Sequence, residues 1–308
     1  MSDILSIGAP TVDIFIKSDS FVLDKPFIRL PYSSKQEISQ SLITSGGGGT
    51  NSAVSFSRLG LKASLLSLLA QDNLSPYILS DLDQNKVDFK LSPQIKSETT
   101  DFSIIVVASD GGRTVLVNRG NSRLEASQIP WKSLTNYKYF YITSLEGNLD
   151  LLEQLVGFGL ENNIKIALNP GSRELAQRQI LSNFLKYVDF LLLNQQEAET
   201  LVNLKSTDFN FWTTIKTLPA RVVAVTNGRQ GAHIFSADQT FFSPILNTQP
   251  VDETGAGDAF GSAFVAGLFY QKNLATCLDW AIHNSASVVS HLGAKTGLLS
   301  LEQIENKN

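Results

Sequence analysis

Short runs of consecutive apolar residues recur along the chain at Ile4–Ile7, Ile104–Ala108, Tyr139–Ile142, Ile164–Leu168, Phe190–Leu193 and Val222–Val225. A strand covered by helices on both faces reads this way, because neither face is left for polar residues. Between several of these runs the apolar positions change to helical spacing. Asn51 to Leu59 carries Ala53, Val54, Phe56 and Leu59, and Leu149 to Phe158 and Glu197 to Leu204 behave alike. The alternation predicts an α/β protein built on a mostly parallel sheet.

Two regions break that rhythm. Val12–Ile16 and the stretch to Ser45 read as strands and turns. In Thr99–Asn118 two β-rich segments flank Asp110-Gly111-Gly112-Arg113, a hairpin signal with Asp-Gly at the turn. Strand-rich excursions at about residues 12–45 and 97–120 predict a small second sheet, a lid over a ligand cleft. No internal repeat and no Pro/Ser-rich linker divides residues 1–308, so the lid is expected as insertions into one α/β domain.

A net charge of −4 argues against a nucleic-acid-binding surface, which needs a basic excess. The one cysteine, Cys277, rules out an intrachain disulfide and sits in an apolar helical stretch, where a core role is expected. No run approaches the roughly 18 apolar residues of a membrane span. The first ten residues lack the basic-then-apolar pattern of a signal peptide. A cytoplasmic protein without membrane partners is the expectation. His233, His283 and His291 have no metal-ligand spacing.

The strongest local signal is Asp252-Glu253-Thr254-Gly255-Ala256-Gly257-Asp258-Ala259-Phe260, followed by a helix of many small residues. Glycines there expose backbone N–H groups at a helix start, and with the helix dipole they make a site for an anion. Asp258 lies in that first turn. The dipole predicts that it stays ionised. It is placed to take a proton from a hydroxyl attacking a phosphoryl group, whose charge the N–H cradle would receive. Taken alone, the string also reads as a glycine turn with an Asp cap.

The string resembles the D-T-T-G-A-G-D signature of the PfkB/ribokinase-like carbohydrate kinases and departs from it at Glu253. Gly46-Gly47-Gly48-Gly49-Thr50-Asn51-Ser52-Ala53 is similar to the family's N-terminal glycine motif, and Gly8 with Asp13 to its first strand. Asn194-Gln195-Gln196-Glu197 matches N-x-x-E, and Thr226-Asn227-Gly228 matches T-x-G. The matches run in family order across nearly the whole chain. The resemblance implies a three-layer ribokinase-like sandwich with a β-sheet lid, and an ATP-dependent, Mg²⁺-requiring kinase acting on a small sugar or nucleoside. It implies Asp258 as general base beside the backbone of Gly255, Ala256 and Gly257. Substrate contacts would come from Asp13, Gly47, Gly48, Asn51 and Arg119. Asn194, Thr226, Gly228 and Asn284 would hold ATP, and Glu197 would hold Mg²⁺ through water. Asp252 and Thr254, with Gly293 to Gly297, are similar to a monovalent-cation (K⁺) site.

Several motifs have a second reading. Asn194 and Glu197 have capping-box spacing, Asn169-Pro170-Gly171 reads as turn chemistry, and Arg119 as a solvated arginine. A nicotinamide-dependent oxidoreductase is a competing class, because Asp72 lies roughly 20 residues beyond the glycine run. Against it, Asn51 occupies the third glycine position and the run does not follow the first strand. A silent sugar- or nucleotide-binding protein is a third possibility. A half-covered lid sheet would leave an apolar face, so a homodimer through the lid is expected.

Overall fold

The computed structural model describes residues 2–110, 112–120 and 123–306. Its central sheet contains β1 (Ile4–Ile7), β6 (Ala63–Leu66), β11 (Tyr139–Ile142), β12 (Lys165–Leu168), β13 (Phe190–Asn194), β14 (Val222–Thr226), β15 (Ala232–Ser236) and β16 (Thr240–Ser243). The spatial order is β16-β15-β14-β13-β12-β11-β1-β6. Pairing is parallel from β6 through β14. At the far edge β15 and β16 add antiparallel strands. The edge strand β16 is absent from the apolar-run pattern because it keeps solvent-facing positions, alternating exposed and half-buried residues.

Side-chain alternation divides the core between the two faces. Phe140 and Ile142 point to one side, where they meet α3 (Leu149–Glu161), α6 (Gln195–Val202) and α7 (Phe211–Lys216). Tyr141, Phe190 and Leu192 point to the other, against α1 (Gly48–Arg58), α8 (Ala256–Phe269) and α9 (Leu274–Val289). The result is three layers. The small residues of α8 permit close approach: a Cβ on Gly261 would lie 2.1 Å from the Tyr141 Oη, and one on Gly267 would lie 2.8 Å from the Cys277 Sγ. Phe264 stacks on Phe190 with ring centroids 4.6 Å apart. Cys277 is fully buried there, and burial pushes its thiol up to about 12.

The second sheet has the order β10-β9-β2-β5, from β2 (Thr11–Lys17), β5 (Gln40–Gly46), β9 (Phe102–Val107) and β10 (Arg113–Asn118). Here β9 and β10 form the expected antiparallel hairpin, while β2 lies parallel to β9 and antiparallel to β5. Gly111 of the hairpin turn lies outside the described residues. Phe15, Ile105 and Val107 form a separate small core under this sheet. Smaller elements complete the chain: β3 (Val22–Asp24) pairs with β4 (Phe27–Arg29), and β7 (Leu69–Ala70) with β8 (Gln94–Ile95). The remaining helices are α2 (Ser75–Gln84), α4 (Ser172–Leu175), α5 (Arg178–Leu181) and α10 (Leu301–Glu305). Among the described residues no helix is long and apolar enough to cross a membrane.

Two of the connections between the sheets run side by side. Gly8 to Pro10 leads from β1 into β2, and the glycine run leads from β5 into α1. The two connections touch, since a Cβ on Gly49 would come within 2.6 Å of the Gly8 carbonyl oxygen.

Candidate active site

The glycine run is shaped by that joint. Gly47 has φ +88°, and a side chain there would strike the Ala9 carbonyl oxygen at 2.3 Å. Only glycine accepts both conditions. One turn into α1, the buried Asn51 reaches out of the helix, and its Nδ2 donates to Asp258 Oδ2 at 2.8 Å. Its Oδ1 is buried and has no partner among the described residues. A buried amide oxygen left open costs about 1–3 kcal/mol unless a ligand or water donates to it. Asp13 lies on the other side of the turn, 5% exposed, with Oδ1 accepting from Thr11 Oγ1 at 2.9 Å. Its Oδ2 is packed so closely on Gly46 that a Cβ there would sit 1.9 Å away.

Asp258 is in the first turn of α8. The helix starts at Gly255, where φ is +78° and an added Cβ would fall 2.5 Å from the Ala294 Cβ. At Gly257, by contrast, an added Cβ would meet nothing within 4 Å. The helix N-terminus therefore opens into free space beside the Asp258 carboxylate, as an anion cradle requires. Burial pushes the Asp258 carboxyl above its ordinary value, the Asn51 hydrogen bond and the Lys295 charge pull it back, and Asp13 pushes it up further. This corrects the expectation from the dipole alone: desolvation is the larger influence, and Asp258 holds its proton more tightly than a free aspartate. Burial likewise raises Asp13, against hydrogen bonds from Thr11 and Ser103 and the charge of Lys295.

The sequence profile of the pfkB family carbohydrate kinases matches residues 1–301. The chain belongs to the pfkB family. Ribokinase from Bacillus subtilis (strain 168) is 23% identical over 309 residues, covering 99% of each chain. An ATP-dependent ribose-1-phosphate kinase from Halopiger xanaduensis is 25% identical over 302 residues, covering 96% of this chain and 95% of its own. Among solved structures, the adenosine kinase from Sinorhizobium meliloti superposes with a TM-score of 0.83 at 21% identity, over 99% of each chain. A putative ribokinase II from E. coli, solved with ATP and Mg²⁺, gives 0.82 at 22% identity, over 99% of this chain and 98% of that one. This pfkB kinase is thus a phosphotransferase with an alcohol group as acceptor, and the oxidoreductase reading falls. Asp72, on which that reading leaned, accepts from the backbone of Leu74, Ser75 and Thr100 and from the Thr100 hydroxyl. It ties two loops together.

The remaining motif residues of the pfkB chain sort by position. Asn194 and Thr226 are direct neighbours across the C-terminal ends of β13 and β14. Asn194 and Glu197 form the capping box: Glu197 N–H donates to Asn194 Oδ1 at 2.9 Å, and Asn194 N–H donates to Glu197 Oε2 at 2.8 Å. The box uses one carboxylate oxygen and leaves Glu197 Oε1 without a hydrogen bond among the described residues. Burial raises Glu197, the Asn194 N–H opposes this, and the charge of Asp258 adds to the rise. Gly228 has φ +47° and open space where a Cβ would stand.

Asn284 is a correction. It is fully buried, its Nδ2 donating to the Ala259 carbonyl at 2.9 Å and to Ser55 Oγ at 3.2 Å, while its Oδ1 accepts from Leu299 N–H. With both ends of the amide engaged in the core, it offers no edge to an adenine. Arg119 lies at the cleft rim and donates to Glu146 Oε1, which Arg173 also faces through Oε2 at 3.0 Å. Asn121 of the same segment lies outside the described residues. Asp252 is fully buried: Oδ1 accepts from Thr254 N–H and its hydroxyl, and Oδ2 accepts from Gly293 N–H at 3.0 Å. It thereby braces the α8 entry loop against the C-terminal segment. Asn169 Nδ2 donates to the Leu192 carbonyl, in keeping with turn chemistry. Among the described residues no cluster of His, Cys, Asp and Glu could hold a metal ion by itself.

Two site residues escaped the sequence reading. Glu174, 1% exposed, accepts from the N–H groups of Leu145 and Gly147 and holds the loop after β11. Lys295 lies buried beneath the glycine turn. A charged residue inside a Gly-Ala-x-Thr-Gly string is the one signal that could have flagged it.

Proposed function

We propose that this chain transfers the γ-phosphate of ATP to a hydroxyl of a small sugar, with Asp258 as the base. The observation that carries the reading is the Asn51–Asp258 hydrogen bond at the mouth of α8. It fixes one carboxylate oxygen and leaves the other beside an open helix N-terminus. The acceptor hydroxyl would donate its proton to Asp258 as its oxygen attacks the phosphorus. The backbone N–H groups at Gly255, Ala256 and Gly257 would take the charge gathering on the phosphoryl oxygens. The open Oδ1 of Asn51, the Asp13 carboxylate and the bare backbone at Gly47 and Gly48 suit a polyol. The raised Asp258 helps the chemistry, because a base with greater proton affinity takes the proton more readily.

ATP would lie along Asn194, Thr226 and Gly228, at the strand ends where open α/β sheets bind ligands. The unengaged oxygen of Glu197 would hold Mg²⁺ through water, and the ion would supply positive charge against the phosphates. We assign Asp252 and Thr254 to a monovalent cation as well, and turnover in KCl against choline chloride tests that role. An acceptor that carried an anionic substituent would engage Arg119 in competition with Glu146, whereas a free sugar would leave that ion pair intact.

The likeness to ribokinases over nearly the whole chain supports a free sugar as the first reading. The likeness to adenosine kinase supports a nucleoside as the second reading. ATP consumption measured with ribose, hexoses, phosphorylated sugars, sugar acids and nucleosides separates them. Turnover with sugars alone supports the first reading, turnover with nucleosides alone supports the second, and binding without turnover overturns both.

The outer face of the lid carries exposed apolar residues, with Leu116 56% and Ile43 45% exposed. We propose that a second copy of the chain covers it, and a monomeric mass in light scattering would exclude that.

A further inference from the structure

The mechanism above leaves one buried charge unused. Lys295 is 5% exposed and enters the base of the cleft from the segment before α10. Its Nζ donates to Asp81 Oδ2 of α2 at 2.6 Å, to Ser45 Oγ at the end of β5, and to Thr50 Oγ1 of α1 at 3.3 Å. Ser45 and Thr50 flank the glycine run on either side, so one ammonium grips both ends of the turn. Thr50 Oγ1 passes the restraint on by donating to the Gly46 carbonyl at 2.5 Å. Arg58 Nη1 anchors the Lys295 backbone carbonyl at 2.9 Å. Asp13 packs on Gly46, and Asn51 stands one residue beyond Thr50, so the gripped segment carries the groups that face the acceptor. Taking a lysine out of water is costly, and a clamp alone needs no charge.

We propose that Lys295 is a positioning residue for phosphoryl transfer: its ammonium holds the glycine turn in register and sets a fixed positive charge behind Asp13 and Asp258. The proposal rests on the kinase reading. The charged and titratable groups facing Asp258 are Asp13 from β2, Glu197 from α6, Tyr141 from β11 and Lys295 itself. Asp81, Asp13 and Asp258 face Lys295. Among these described residues Lys295 is the one cation, so its removal leaves Asp258 among carboxylates and a phenol.

Three measurements on Lys295→Met test this. The acid limb of the kcat–pH profile should move up by about one pH unit, a tenfold change in the ionised fraction. The acceptor KM should rise ~10-fold while the ATP KM stays within ~2-fold. The carboxyl ¹³C resonance of Asp258, identified by its loss in Asp258→Asn, should titrate at higher pH than in the wild type. Should Lys295→Met not fold, Lys295→Gln with Asp81→Asn removes both partners of the ion pair and should show the same shifts. An unmoved acid limb and unmoved resonance, with only a lower melting temperature, overturn the proposal. If the wild type turns over no acceptor, the kinase reading fails, and the ¹³C titration still decides the role of Lys295.

Discussion

The two sheets of this kinase are built on opposite terms. In the central sheet Phe140, Tyr141, Phe190 and Leu191 are fully buried, with helices against both faces. In the lid all six residues of β10 are exposed, the separate core under the sheet has only three buried residues, and Val12 of β2 joins the core around α1 and α2. On the proposed reading, rigidity belongs where Asp258 must meet the acceptor hydroxyl, because a base acts only within hydrogen-bond reach. A sheet with few buried contacts opens locally at low cost, as a cover over a cleft must. The proposed site sits where the two meet, with Asp258 on the closed side and Asp13 on the open one.

The largest effect should come from the closed side. Asp258→Asn should lower kcat by at least ~10²-fold with the ATP KM nearly unchanged, and near wild-type turnover would sink the assignment. The same substitution should raise the melting temperature at neutral pH. Burial lifts the folded carboxyl above its unfolded value. Its ionisation therefore costs stability as pH rises through that range, and the advantage of the amide variant should vanish toward the ordinary aspartate value of about 3.9. Melting curves at several pH values check the sign. Next, Phe264→Ala removes the ring stacked on Phe190 and should cost ~3–5 kcal/mol in urea unfolding. A loss under ~1 kcal/mol would contradict the packing described for α8.

At the joint, Asp13→Ala should raise the acceptor KM ~10-fold or more, the scale of a lost hydrogen bond to a charged group. Equal effects on acceptor and ATP would remove its role in holding the acceptor. Smallest of all, Leu116→Ser on β10 should shift unfolding by no more than ~0.5 kcal/mol in the monomer, while weakening self-association in light scattering. A large unfolding loss in the monomer would erase the contrast between the sheets.

The central strands were legible because burial on both faces writes itself as apolar runs, as in Tyr139–Ile142. Asp258, Asn51 and Asp13 were legible through motif resemblance, though no spacing could show that Asn51 and Asp258 share a hydrogen bond across 207 positions. Asn284 misled, because an asparagine in an apolar helix has the same letter whether it meets a ligand or ties Leu299 to α8. Lys295 was passed over because a lysine between small residues ordinarily faces water.

By itself, then, the sequence determined the layered α/β fold, the presence of a smaller second sheet and the chemical types gathered at the cleft, since periodicity and glycine placement are local properties of the chain. Only the tertiary structure decided the proton affinity of Asp258, the retreat of Asn284 into the core and the burial of Lys295 beneath the glycine turn. Each of these depends on which distant residues exclude water from a side chain, and that is settled only when the layers close.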